Sequence, residues 1–214
     1  MRTVYGVSLS PFVRKVRVAL AEKKLDYTLE TVFPGPQAPA DWRKLRPLGK
    51  VPAYRDGDKT LADSSVICAY VERVSPEPRL YPSDAYDYAR ALWFEEYADG
   101  GLVPVFGPKV FFQRIVGPRF MGQQADESIV KNAIDNDIPP LNDYLEGELK
   151  GDFLVGNALT IADISVATAY VNLQYGGVTP DAARWPKLTR FLARMYERPS
   201  FAACIAEEKA AFGV

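Results

Sequence analysis

The sequence predicts an α/β domain followed by an all-α domain. Short strand and helix patterns alternate over residues 1–75, whereas the chain from residue 85 to residue 214 has helical periodicity. Residues 76–84 contain three prolines, which cannot continue a helix and therefore indicate a linker. We expect one domain on each side of this linker.

The first domain begins with a strand predicted over residues 3–7. Ser10-Pro11 indicates the start of a helix, because serine caps helix N-termini and proline is tolerated in the first turn. This helix is amphipathic, with its charged residues opposite a face formed by Phe12, Val16, Ala19 and Lys23. Alternating residues predict a second strand over residues 26–33.

The second half of this domain predicts a hairpin and another helix. A proline-rich loop (Pro34, Pro36 and Pro39) leads to a short helix at residues 41–45, and strands follow at residues 51–55 and 60–61 around a turn. Asp63-Ser64-Ser65 supplies capping groups for a helix that continues to Val74.

The second domain is predicted to be all-helical. Apolar spacing predicts helices over residues 86–97, 130–145 and 185–196, and Pro139-Pro140 implies a kink or a break in the second of these. Thr160 and Asp163 form a capping box with aspartate in place of the usual glutamate. The helix that it opens is apolar nearly all round, which is typical of the middle of a bundle.

The composition excludes several classes of function. The chain has no histidine, which excludes Ser-His-Asp and Cys-His nucleophiles and histidine-ligated zinc or haem. Its 26 basic and 27 acidic residues leave no basic surplus for nucleic acid. Cys68 and Cys204 form no C-x-x-C motif and are interpreted as buried apolar residues of a reduced compartment. No apolar run approaches the ~18 residues of a membrane span, and no signal-peptide pattern is present, so we expect a cytoplasmic protein without a membrane partner.

Three local motifs could carry chemistry, although each also has a purely structural interpretation. Ser10 could be only a helix cap. Lys50, Val51 and Pro52 could form an ordinary loop that enters a strand. Asp63-Ser64 could be only a second cap.

Taken together and in this order, the motifs resemble the cytosolic glutathione transferase family. The first domain has Ser-Pro-Phe at residues 10–12, a lysine before Val-Pro at residue 50, and an acid-serine pair at residue 63. The second domain opens its core helix with Leu-Thr-Ile-Ala-Asp at residues 159–163, and residues 185–201 are typical of bacterial members. The resemblance covers essentially the whole chain. It implies a thioredoxin-like domain with a mixed four-stranded sheet and an all-helical C-terminal bundle.

The resemblance also implies how glutathione binds. Pro52 is expected to be cis, which presents the backbone of Val51 to the cysteinyl part of glutathione. Lys50 matches the position that meets the glycine carboxylate. Asp63 and Ser64 match the pair that holds the γ-glutamyl end. The family usually has glutamate at the acid position, so Asp63 keeps the charge and shortens the reach.

Ser10 matches the serine that several classes use to activate the thiol. A free thiol has a pKa near ~8.5, and a hydroxyl donor at the positive end of a helix favours the thiolate. Tyr5 and Ser8 are competing candidates, because other classes use an N-terminal tyrosine and Ser8 is two residues from Ser10. A cysteine at the activator position would suggest deglutathionylation, and its absence argues against that chemistry.

The electrophile pocket is expected between the domains. Its candidate aromatic residues are Phe12, Tyr97, Phe106, Phe111, Phe112, Phe120 and Tyr175. The prolines and glycines of residues 103–122 suit a mobile flap over this pocket. The alternative for each ring is a core or dimer contact.

The predicted function is a detoxifying glutathione transferase that attaches the thiolate of glutathione to an apolar electrophile, without a metal and as a homodimer. The alternatives are a non-catalytic binding or scaffold protein with the same fold and a glutathione-dependent isomerase or peroxidase. The double serine-cysteine signature of the isomerase branch is missing.

Overall fold

A computed structural model describes residues 1–35 and 38–214, and its first domain is a four-stranded mixed sheet with helices. The strands are β1 (Arg2–Tyr5), β2 (Thr28–Glu30), β3 (Ala53–Asp56) and β4 (Lys59–Ala62), in the order β2-β1-β3-β4. β1 is parallel to β2, and β3 is antiparallel to both β1 and β4. The helices are α1 (Pro11–Glu22), α2 (Trp42–Leu45) and α3 (Ser64–Val74). The predicted thioredoxin-like fold is confirmed, and Pro36 of the predicted loop lies outside the described residues.

Gly6 ends β1 two residues earlier than the sequence predicts. Its φ of 149° lies in a region that favours glycine. A Cβ at this position would lie 2.5 Å from Cγ2 of Val13 and 3.1 Å from Cβ of Val51. The absence of a side chain therefore lets the segment before α1 pack closely against both the helix and the loop that precedes β3.

The second domain is helical. It contains α4 (Ala85–Glu96), α5 (Val103–Phe106), α6 (Gly117–Phe120), α7 (Glu127–Asn132), α8 (Ile138–Glu148), α9 (Ile161–Tyr175), α10 (Pro186–Glu197) and α11 (Pro199–Phe212). Wider π-helical turns occupy Tyr97–Leu102, Gly107–Val116 and Ala133–Asp137. Every residue of α9 from Ile161 to Leu173 is buried, so the prediction of a central helix is confirmed.

The prolines and glycines of residues 103–122 do not break the chain as expected, because it is helical as far as Phe120, and the mobile flap over the pocket stays a prediction. Pro104, Pro108 and Pro118 each lie in the first turn of a helical segment, where the missing N–H costs little. Pro139 and Pro140 likewise lie in the first turn of α8, and a π-helical turn precedes this helix where the sequence predicts a kink or a break.

The charged side of α1 is buried between the two domains. Arg14, Lys15 and Arg17 have exposed fractions of 0%, 1% and 4%. Each pairs with acidic groups of the second domain: Arg14 with Glu208, Lys15 with Glu95 and Asp99, and Arg17 with Glu207. α1 therefore connects the two domains through ion pairs and also contributes to the hydrophobic core of the first domain.

Cys68 and Cys204 are buried free thiols, as the sequence predicts. Burial raises the pKa of both thiols, which disfavours their thiolate forms. Within the described ranges, no helix has the length and apolar character needed to span a bilayer.

The capping box at the start of α9 is present and buried. The Asp163 carboxylate accepts hydrogen bonds from Thr160 N at 2.8 Å, Thr160 Oγ1 at 3.1 Å and Leu154 N at 2.8 Å. It thereby ties the preceding loop to the helix. Burial raises the pKa of Asp163 to about 6 although these donors lower it.

We expect Asp163→Ala to lower the free energy of unfolding by about 2–3 kcal/mol, because buried donors lose their acceptor. The folded-state pKa of Asp163 exceeds that of an unfolded aspartate, near 3.9, so its contribution is largest below about pH 4 and declines towards about pH 6. Urea titrations should therefore give a difference in the free energy of unfolding between wild type and Asp163→Ala that decreases as the pH rises from about 4 to about 6. Asp126→Ala, which removes the exposed cap of α7, is the control and should cost about 1 kcal/mol. Equal losses for the two variants would contradict the prediction.

Candidate active site

A cavity of about 530 Å³ lies between the two domains. The first domain contributes Val7, Leu9, Ser10, Pro11, Phe12, Phe33, Pro34, Lys50 and Val51. The second domain contributes Val103, Phe106, Gly107, Phe111, Val116, Phe120, Met121, Ala169 and Asn172. Among these lining residues, Lys50 is the one charged side chain, and Ser10 and Asn172 are the polar ones. The cavity is therefore apolar, with its polar groups near the first domain and α9.

Ser10 caps α1 and lines this cavity. Its Oγ accepts a hydrogen bond from Val13 N at 3.4 Å, and its backbone N–H donates to Val7 O at 3.0 Å. Because Oγ acts as an acceptor in the cap, its proton remains available for donation to a group in the cavity. The arrangement places a hydroxyl donor at the positive end of a 12-residue helix.

The two competing activator candidates lie elsewhere. Tyr5 is buried in β1, with its ring against Trp42 and the guanidinium of Arg55 5.3 Å from the ring centre. Ser8 is a buried residue of the loop before α1. Neither side chain is among the residues that line the cavity. Of the three candidates, Ser10 is the one placed at the cavity wall.

The loop before β3 brings Lys50 and Val51 to the same cavity. The Val51–Pro52 peptide bond is cis, as the resemblance implies. Pairing between β1 and β3 begins at Ala53, so Val51 lies outside the ladder, and it is one of the residues that line the cavity. Lys50 is exposed beside it. These positions suit an extended peptide with a carboxylate at one end.

Asp63 and Ser64 stand at the N-terminus of α3. Asp63 Oδ1 accepts from Ser65 N at 3.0 Å, and its φ of 84° is unusual for a residue other than glycine. Such backbone strain concentrates at functional sites. Arg46 Nη2 lies 3.7 Å from Asp63 Oδ2, and Ser64 is buried. Sequence reasoning missed Arg46, because one basic residue in a loop carries no motif.

The aromatic candidates divide into three groups. Phe12, Phe106, Phe111 and Phe120 line the cavity, and Phe112 lines an adjoining shallow groove that also includes Asp99. Tyr97 packs on Tyr144 with ring centres 4.9 Å apart and donates its hydroxyl to Leu141 O at 3.1 Å. Tyr175 donates its hydroxyl to Glu208. Tyr97 therefore serves contacts within the second domain, whereas the Tyr175 ring also faces the Arg14 guanidinium of the first domain at 5.6 Å, and neither residue lines the cavity.

The fold and this site define a two-domain protein with an apolar cavity between a thioredoxin-like domain and a helical domain. The family models for the N-terminal and C-terminal domains of glutathione S-transferase match residues 9–74 and 111–208. Glutathione S-transferase 3 of Zea mays is 30% identical, over 77% of this chain and 74% of its own length. The chain belongs to the glutathione transferase family, whose members use glutathione as a substrate.

Two further comparisons cover nearly the whole chain. A protein of Vibrio cholerae named as a probable maleylacetoacetate isomerase is 26% identical, over 96% of each chain. The crystal structure of a glutathione S-transferase from Rhodospirillum rubrum superimposes with a TM-score of 0.86 and 28% identity, over 95% of this chain and 91% of that one. Its relatives therefore include proteins named as a transferase and as a probable isomerase.

Proposed function

We propose that the protein conjugates the thiolate of glutathione to a neutral, apolar electrophile. The observation that carries this proposal is the Ser10 hydroxyl, which caps α1 at the wall of an apolar cavity shared with Lys50 and Val51. The nucleophile arrives with the substrate glutathione, which is consistent with a chain that has no histidine.

Ser10 and α1 act on the ionisation of the thiol. A free thiol near pKa ~8.5 is only a few per cent ionised at neutral pH. A hydroxyl donor and the positive helix end both stabilise the thiolate, and a decrease of about two units corresponds to ~2.7 kcal/mol. This decrease would make thiolate the majority species at pH 7.

The remaining residues orient glutathione. Lys50 meets the glycine carboxylate, and the main chain of Val51 pairs with the cysteinyl part of the peptide. Asp63 receives the ammonium group and Ser64 the carboxylate of the γ-glutamyl end, at the N-terminus of α3. Asp63 and Ser64 are not among the residues that line the cavity, so glutathione would extend from the cavity wall to the N-terminus of α3, with its sulfur beside Ser10.

The cavity lining favours a neutral electrophile over maleylacetoacetate, the compound that the Vibrio cholerae relative is named for. Maleylacetoacetate carries two carboxylates, and burying them requires cationic partners. Among the described residues that line the cavity, Lys50 is the one charged side chain, and we assign it to glutathione itself. The second domain contributes apolar side chains and Asn172 to the same wall.

We expect the ratio of kcat/KM to the uncatalysed second-order rate constant to be at least about ten-fold larger for a neutral chlorodinitrobenzene than for an anionic chloronitrobenzoate, because the carboxylate must be desolvated without a partner. Dividing by the uncatalysed rate constant removes the difference in reactivity between the two rings. Steady-state kinetics with saturating glutathione measure kcat/KM for both electrophiles. Phe120→Lys, at the exposed rim of the cavity, should narrow the preference. Faster isomerisation of maleylacetone than conjugation would favour the isomerase, and glutathione binding without turnover would favour a binding protein.

A further inference from the structure

The peptide bond between Leu9 and Ser10 is held at both of its polar ends. The Ser10 N–H donates to Val7 O at 3.0 Å, inside the loop that precedes α1. The carbonyl of Leu9 accepts a hydrogen bond from Nδ2 of Asn172 at 3.0 Å. Asn172 belongs to α9, so the second domain fixes the orientation of the peptide that carries the Ser10 side chain.

Arg14 fixes the orientation of Asn172. Its Nη1 donates to Asn172 Oδ1 at 2.8 Å, which leaves the amide Nδ2 directed at Leu9 O. The backbone N–H of Arg14 also donates to Ser10 O at 3.0 Å. Arg14 therefore holds Ser10 directly through the helix and indirectly through Asn172.

Arg14 is itself anchored in the second domain. Its Nε donates to the Glu208 carboxylate at 2.9 Å, its Nη2 contacts the same carboxylate, and Nη1 also donates to Thr168 O at 3.1 Å. Tyr175 donates its hydroxyl to Glu208 at 2.8 Å. Arg14, Glu208 and Asn172 are at most 3% exposed. Water therefore does not replace these bonds easily, and the low dielectric strengthens them.

We propose that Asn172 is a positioning residue of the active site, which fixes the Leu9–Ser10 peptide so that the Ser10 hydroxyl points at the sulfur of bound glutathione. This inference rests on the proposed role of Ser10. A hydrogen bond weakens steeply when its angle departs from linearity, so a rotated peptide at the cap would direct the hydroxyl away from the thiolate. The second domain would then influence the ionisation of the glutathione thiol as well as line the cavity for the electrophile.

The main test is Asn172→Leu, which is close in volume and adds no charge near the sulfur. The matched control is Asn142→Leu, since Asn142 is also fully buried but lies on α8, where its Oδ1 contacts the Tyr170 hydroxyl. Both variants should lower the thermal midpoint. The ultraviolet absorbance of the thiolate against pH then gives the thiol pKa of bound glutathione in each folded protein.

We expect Asn172→Leu to raise this thiol pKa by about one unit, with about a ten-fold loss of kcat/KM at pH 6.5, and Asn142→Leu to leave it unchanged. The affinity for S-methylglutathione should stay within about two-fold of wild type in both variants, because that analogue has no thiol to ionise. Ser10→Ala/Asn172→Leu should shift the pKa no further than Ser10→Ala, since both changes remove the same contact.

Arg14→Lys provides a second variant in case Asn172→Leu does not fold. It keeps the charge opposite Glu208 but cannot reproduce the fork that also holds Asn172, so the thiol pKa should rise in the same direction. An unchanged thiol pKa in these variants, alongside a shift in Ser10→Ala, would overturn the role of Asn172 and leave that of Ser10 intact. An unchanged pKa in Ser10→Ala would overturn both.

Discussion

Replacing Ser10 by alanine is expected to raise the thiol pKa of bound glutathione by about 1.5 units, because α1 keeps its share of the two-unit decrease, and to lower kcat/KM at pH 6.5 by about 30-fold. The hydroxyl is the one polar side chain that the first domain places at the helix end of the cavity wall. Without it, the thiolate keeps only the partial positive charge of α1. The loss of kcat/KM in Ser10→Ala should therefore decrease as the pH rises, because the thiol ionises without the Ser10 hydroxyl above its new pKa.

Thiolate absorbance against pH measures this shift directly, and the pH profile of kcat/KM measures it a second time. Tyr5→Phe and Ser8→Ala are matched controls, since each removes one hydroxyl from the same strand and loop without reaching the cavity wall. Both should leave the thiol pKa unchanged. Loss of the cap in Ser10→Ala also costs about 1 kcal/mol of stability, which a thermal melt separates from the change in pKa. A shift in Tyr5→Phe or Ser8→Ala alone would assign the activator to that residue.

Local signals explain how much of the fold could be predicted from the sequence. Caps such as Ser10 and Thr160 and the helical spacing of apolar residues depend on neighbours along the chain, so the domain order and the central α9 follow from them. Residues 103–122 show the limit of this reasoning. Prolines there suggested a break, but a proline in the first turn of a helical segment is compatible with continuing the helix.

The part of the site that could not be predicted depends on contacts between distant residues. Lys50, Val51 and Ser10 are found through motifs whose order is informative. Asn172 is one of several buried polar residues of α9, with Ser165 and Thr168, so its polarity does not single it out, and its partner Leu9 lies 163 positions away. The charges of α1 gave no sign of burial, because their acidic partners lie in other helices of the second domain.

Of the substitutions proposed here, replacement of the buried Lys15 of α1 should lower the free energy of unfolding most. Lys15 Nζ contacts Glu95 Oε1 at 3.1 Å, Asp99 Oδ2 at 2.7 Å and Ser65 Oγ at 3.0 Å, and its exposed fraction is 1%. We expect Lys15→Met, which preserves the volume, to lower the free energy of unfolding by about 3–5 kcal/mol, because Glu95 stays buried without its cation. Urea titration of the whole chain measures this loss.

Lys109→Met is the control for this substitution. Lys109 also pairs with an acid, Asp137 at 2.8 Å, but 37% of its side chain is exposed. Ion pairs of that kind contribute about 0–1 kcal/mol, so the control should change stability little. The comparison separates the effect of burying an ion pair from the effect of deleting any paired lysine.

The pH dependence of the Lys15→Met effect follows from Glu95. Burial raises the pKa of Glu95 even though Lys15 lowers it, and removing Lys15 raises it further. An unfolded glutamate has a pKa near 4.3, so the folded variant binds a proton that the unfolded chain has released at neutral pH. The loss of stability should therefore be smallest near pH 4 and grow as the pH rises to 7. The double variant Lys15→Met/Glu95→Gln should recover much of the stability that Lys15→Met loses. A small loss in Lys15→Met that does not vary with pH would contradict the prediction, because it would show that water solvates Glu95 in the domain interface.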